Sequence, residues 1–163
     1  MKNLILIRHS KSSWQTPLND IDRPLSKRGI NDAHLISSNI AEFLPKTYIV
    51  WCSTSKRTKE SAMIYSEHLM FSFENIIFKE ELYTFDESKL EKIIKSCPNE
   101  YDNLILFGHN EAITNFVNKF GNIFIDNVST SGFVNIIFDN DSWNDIEKGV
   151  TKKVIFPSDL RYI

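Results

Sequence analysis

Five short apolar runs, each rich in Ile, Val, Leu or aromatic residues, punctuate the chain: LILI at 4–7, YIVWC at 48–52, IIF at 76–78, LILF at 104–107 and FVNIIF at 133–138. Runs of this length and composition predict β-strands. The stretches between them are longer and more polar, with apolar residues at helical spacing. Residues 26–44 carry Ile30, Ala33, Ile40 and Leu44, residues 54–70 carry Ala62, Tyr65 and Leu69, residues 87–96 carry Leu90, Ile93 and Ile94, and a fourth segment fits 111–120. These predict four helices, with Ser26 and Thr54 as N-caps of the first two. Residues 139–163 read as a turn, an edge strand at 150–156 that forms a hairpin with its predecessor, and an irregular tail.

Strands alternating with helices predict a three-layer α/β/α sandwich with a largely parallel central sheet, because parallel neighbours need a crossover and a helix usually supplies it. The unbroken apolar character of LILI and LILF agrees, since such strands are covered on both faces. No repeat or flexible linker interrupts the chain, and 163 residues, 42% of them hydrophobic, suit one core. A single domain over 1–163 is expected.

In such a sheet, ligands gather beyond the carboxyl ends of the strands. Three strands run directly into polar clusters there: RHSKSSW after the first, STSKRT (53–58) after the second and GHNEAIT (108–114) after LILF. Parallel strands would bring Arg8, His9, Arg57 and His109 to one edge, with Ser53 nearby. Helix N-termini present free N–H groups, and guanidiniums add forked, permanently charged donors that match phosphate oxygens. Only five of the 19 basic residues are arginine, and two of those five fall in these clusters. The ligand expected is a phosphoryl group.

Charge and cysteine usage narrow the alternatives. With 19 basic and 21 acidic residues the net charge is −2, so no general attraction to nucleic acid or an anionic membrane is expected. The first apolar run is too short for a signal peptide core or a membrane span, and a cytoplasmic protein is expected. Cys52 and Cys97 lie far apart without a CxxC pattern, and His9, His34, His68 and His109 form no HxH or HExxH spacing. No metal and no cofactor are expected from these patterns.

Taken in order, LILIRHSKSSW, DRPLSKRG (22–29), CSTSKRT and LILFGHNEAIT resemble the histidine phosphatase superfamily, the phosphoglycerate-mutase-like clan, over nearly the whole chain. The small size, the RHSKSSW continuation where many relatives have glycine after the histidine, and GHN are most similar to the SixA-type branch associated with phosphohistidine. The resemblance implies a phosphoglycerate-mutase-like fold and makes His9 the nucleophile, its other ring nitrogen held by a carbonyl. It places Arg8, Arg57 and His109 on the phosphoryl oxygens, with Ser10, Lys11, Ser53 and Asn110 as further phosphate or substrate contacts. Arg23 is expected to pin its loop.

Larger relatives carry a general-acid glutamate after the third strand in a Leu-x-Glu pattern, but here Leu82 is followed by Thr84. Glu81 is the remaining candidate for that role. An imidazole leaving group, with an unperturbed pKa near ~6.5, needs less protonation than an alkoxide. Protein phosphohistidine is therefore the expected substrate, with small phosphorylated metabolites as the alternative. A phosphate-binding module without turnover is a third reading, opposed by the presence of His9, Arg8, Arg57 and His109.

Overall fold

The structure, a computed structural model, describes residues 1–161. Its strands are β1 (Lys2–Arg8), β2 (Ile49–Ser53), β3 (Ile77–Lys79), β4 (Asn103–Gly108), β5 (Phe133–Phe138) and β6 (Val150–Ile155). They form one sheet in the order β3-β2-β4-β1-β5-β6. The helices are α1 (Lys27–Ser37), α2 (Lys56–His68), α3 (Glu87–Lys95), α4 (Ala112–Phe120) and α5 (Pro157–Leu160).

Pairing is parallel from β3 through β2 and β4 to β1, and antiparallel where β5 joins β1 and β6. The β5–β6 pair is antiparallel because the segment between these two strands carries no crossover helix and folds back as a hairpin. Alternate residues of each central strand point to opposite faces. Leu4, Leu6, Leu104 and Leu106 meet Leu90, Ile94, Ile113 and Phe116 of α3 and α4. Ile5, Ile7, Ile105 and Phe107 meet Ala33, Ile36, Ala62 and Tyr65 of α1 and α2. Each such side chain contributes roughly 1.5–3 kcal/mol relative to exposure, which is why LILI and LILF are apolar throughout.

Several boundaries differ from the sequence reading. The first helix stops at Ser37 rather than near 44, because the Ser38 Oγ and Asn39 Nδ2 both turn back to donate to the Leu35 carbonyl. Beyond it Ala41–Phe43 forms a 3₁₀ turn, and Ile30 faces outward. The cap of α2 is Ser55, whose Oγ accepts from the Thr58 N–H, not Thr54. The expected irregular tail contains α5, and residues 162–163 lie outside the described residues. Among the described residues no helix is long and apolar enough to cross a membrane.

The segment after β1 is held by the start of α1. The Ser26 N–H and Oγ both donate to the Lys11 carbonyl, at 2.8 and 3.0 Å. Gly29 lies so close to this carbonyl that a Cβ at position 29 would collide with the Lys11 backbone. Gly29→Ala is therefore expected to destabilise the protein by about 1–3 kcal/mol, as overpacking does, read as a lower urea midpoint at unchanged slope.

Candidate active site

The register of β1 on β4 sets Arg8 opposite Gly108, and the His9 N–H donates to the Gly108 carbonyl at 3.1 Å. His9 and His109 therefore leave the sheet side by side, with ring centroids 5.2 Å apart. The end of β2 supplies Ser53, whose Oγ lies 2.8 Å from His109 Nε2. Arg57, in the first turn of α2, completes the group. Its Nε is 3.4 Å from His9 Nε2 and its Nη2 is 3.4 Å from His109 Nδ1.

The His9 Nδ1–H donates to the Ser10 carbonyl at 2.7 Å, which leaves the Nε2 lone pair facing Arg57. Burial, assisted by the charges of Arg57, Arg8 and Arg23, lowers the His9 pKa to about 3 against the opposing pull of that carbonyl. His109 is lowered to about 2, first by burial and then by His9 and Arg57. Both rings are neutral at neutral pH, and the site's positive charge resides on its arginines.

The guanidiniums of Arg8 and Arg23 are incompletely paired. The Arg8 Nη1 donates to the Val128 carbonyl at 2.9 Å, but its buried Nε has no partner, and neither has the Nε of Arg23. Both residues line a cleft of about 500 Å³ with His9, Lys11, Trp14 and Arg57. An unsatisfied buried donor costs roughly 1–3 kcal/mol, a cost that an anion in the cleft would offset. Trp14 is 77% exposed at the rim and its ring lies 3.5 Å from the Arg23 guanidinium carbon.

Asp20 is a member of the site that sequence reasoning missed. Its main-chain carbonyl accepts from Arg57 Nη1 at 2.7 Å and its Oδ2 from Nη2 at 2.9 Å, so it grips one edge of the guanidinium and leaves the Nε–Nη2 edge to the histidines. Asp20 also accepts from Arg23 Nη2 at 3.0 Å and from the Tyr83 hydroxyl at 2.5 Å. Burial alone would raise its pKa, but the hydrogen bonds from Tyr83, Arg23 and Arg57 outweigh burial and hold the carboxyl below the usual carboxylate range. The signal available in the sequence was an acid three residues before Arg23. The rings of Tyr83 and Phe85 pack edge-on against His109, with centroids at 5.3 and 5.4 Å.

Arg8, His9, Arg57 and His109 are thus brought together as the strand order implied. Lys11 stands exposed on the cleft lining. Ser10 does not face the cleft: its N–H donates to Ser61 Oγ at 2.8 Å, its hydroxyl pairs with Ser131 Oγ, and its carbonyl holds His9. Its side chain is committed to holding Ser131, whose φ of 62° lies in the left-handed region and whose N–H donates to the His9 carbonyl. Ser53 is likewise fully buried, in contact with His109. Asn110 lines the cleft, but its Oδ1 accepts from the Thr114 N–H and hydroxyl and so anchors the start of α4. Glu81 is exposed on the 3₁₀ turn Glu80–Leu82 and is not among the residues lining the cleft. Arg23 pins its loop through Ser12 and Asp20 and also lines the cleft.

Residues 4–112, more than half of the 163, match the family model of the histidine phosphatase superfamily (branch 1). The chain belongs to this superfamily. Among solved structures, the protein histidine phosphatase SixA complexed with tungstate superposes with a TM-score of 0.81 at 17% identity, covering 98% of this chain and 99% of that one. A candidate phosphohistidine phosphatase SixA from Nakamurella multipartitia gives 0.78 at 18% identity, covering 96% of each chain. The mycobacterial glucosyl-3-phosphoglycerate phosphatase in complex with VO3 gives 0.68 at 10% identity, covering 94% of this chain and 98% of that one. At these identities the likeness is one of fold. An uncharacterized protein of Mycobacterium tuberculosis (strain H37Rv) is 38% identical over 55 residues, so the match spans 34% of this chain and 35% of that relative.

Two neutral buried histidines give this member of the superfamily a defined acid response. The unfolded chain takes up their protons near pH 6.5, whereas folded His9 does so only near 3. The unfolded state therefore binds more protons throughout this window, and stability falls as pH drops from 6.5 toward 3. Urea unfolding across this range is expected to show that fall, with a shallower slope in His109→Gln.

Proposed function

We propose that this chain is a phosphatase that hydrolyses phosphohistidine on a protein by way of a phosphoryl intermediate on His9. The family and fold support phosphatase activity. One observation carries the substrate class: the carboxylate lining the cleft, Asp20, is held ionised by Tyr83, Arg23 and Arg57 and has no proton to give. Glu81 is exposed and outside the lining, and position 84 is a threonine. A site whose one lining carboxylate is held ionised suits a leaving group that departs as neutral imidazole far better than one that departs as alkoxide.

In the first step the lone pair of His9 Nε2 attacks phosphorus, a new N–P bond forms, and the P–N bond to the substrate imidazole breaks. The substrate ring, protonated on its other nitrogen, leaves neutral. In the second step water attacks phospho-His9, the N–P bond breaks, and inorganic phosphate departs with the proton balance made by solvent. The Ser10 carbonyl keeps Nδ1 protonated, so that Nε2 is the attacking atom in every cycle. Arg57, through its Nε–Nη2 edge, together with Arg8 and His109, meets the charge on the equatorial oxygens, where phosphoryl transfer gains most of its stabilisation. As phosphate enters, its negative charge counteracts the arginines and favours a proton on His109. This role falls to arginines because the donor set is cationic, and its one carboxylate is already engaged by two of them.

The test is phosphate release in the presence of chelator from a histidine-phosphorylated domain and from alkyl and aryl phosphate esters. Release from phosphohistidine well above the alkyl esters is expected, abolished in His9→Ala and lowered roughly 10²–10³-fold in Arg57→Ala. Faster turnover of alkyl esters would overturn the protein-phosphohistidine reading in favour of a small phosphorylated metabolite.

A further inference from the structure

The histidines outside the active site, His34 and His68, are 34 residues apart in sequence but meet on the outer surface of the α1–α2 pair. His34 Nδ1 lies 2.8 Å from His68 Nε2, and the rings stand edge to face with centroids 5.1 Å apart. Glu67 joins them. One ligand atom from each of the three lies within 4.8 Å of the others. His34 is half-buried, while Glu67 and His68 are exposed at the last turn of α2, where Leu69 leaves the helix at φ −114° and ψ 166°.

We infer that His34, Glu67 and His68 form a binding site for a divalent transition cation of the Zn²⁺ class, distinct from the phosphoryl site. Two imidazoles and a carboxylate are the donors such ions prefer, and a water would complete a tetrahedral shell. With bonds of about 2.0–2.1 Å, tetrahedral coordination sets two nitrogen ligands roughly 3.3 Å apart. The two nitrogens would have to separate by only about half an ångström, a movement open to side chains at the surface. A carboxylate beside the pair adds the negative charge that a hydrogen bond between two neutral imidazoles does not need.

The position sets the consequence. Arg57 is in the first turn of α2 and His68 is its last residue, so the length of the helix, about 16 Å, separates this site from the chemistry. A bound cation would tie the carboxyl end of α2 to α1 over the core face that contains Ala33, Ile36, Ala62 and Tyr65. It would add to stability through binding to the folded state alone and take no part in phosphoryl transfer. The expectation of no metal rested on spacing within single segments, and a site assembled from two helices leaves no such trace in sequence.

The experiment is calorimetric titration of the tag-free, chelator-stripped protein with Zn²⁺, in parallel with thermal unfolding. One equivalent is expected to bind and raise Tm. His34→Ala and His68→Ala are each expected to weaken binding at least tenfold and abolish the rise in Tm, while phosphate release stays at the wild-type level. Circular dichroism of each variant confirms that it is folded. Absence of one-to-one binding, or binding that persists unchanged in both variants, would overturn the inference and leave an imidazole–imidazole hydrogen bond only.

Discussion

Arg8 stands opposite Gly108 in the central parallel pair, and the placement of His9 beside His109 depends on that register. A slip of one residue would turn the Leu4–Leu6 face and the Ile5–Ile7 face of β1 to the wrong helical layers. The cost would be spread over several fully buried side chains, so the register is set by hydrophobic burial rather than by any polar contact at the site. The same parallel pairing carries over to β2, whose end delivers Ser53 and, four residues on, Arg57. The core thus does the positioning, and the polar residues at the strand ends inherit a precision they could not generate from exposed loops.

What the core places there is a concentration of positive charge around a neutral base. Arg8, Arg23 and Arg57 share one cleft with a single lining carboxylate between two of them. Their fields and burial keep His9 unprotonated, which is the state a nucleophile requires, and the same fields make the cleft receptive to a dianion. Asp20 fits this scheme as an orienting group. By taking the Nη1–Nη2 edge of the Arg57 guanidinium it leaves the adjoining Nε–Nη2 edge aimed at the histidines. The backbone behind His9 is fixed from two sides, by the Ser10–Ser131 contact and by α1 pressing Gly29 onto Lys11.

The fold was legible in the sequence because buried parallel strands write themselves as unbroken apolar runs, and all five of those runs lie in or beside strands of the sheet. Arg8, His9, Arg57 and His109 were legible because each follows a strand closely enough that topology alone brings them together. The remainder depended on contacts that spacing does not encode. The end of α1 is decided by Ser38 and Asn39 folding back on Leu35, a local competition invisible to periodicity. Ser10 belongs to the motif yet faces inward, because a neighbour of His9 can hold its ring through the main chain alone. Asp20 reaches Arg57 across 37 residues and Tyr83 across 63, so only the folded chain shows it as part of the site.

The proposed intermediate, a phosphoryl group on His9, can be trapped directly. The enzyme would be mixed with a histidine-phosphorylated domain labelled in the phosphoryl group, quenched in base within one turnover, and mapped by mass spectrometry. An acid-labile, base-stable phosphoryl group is expected on His9, forming and decaying at rates consistent with turnover. Label on another residue, or complete hydrolysis within the first turnover without any phosphoenzyme, would contradict it.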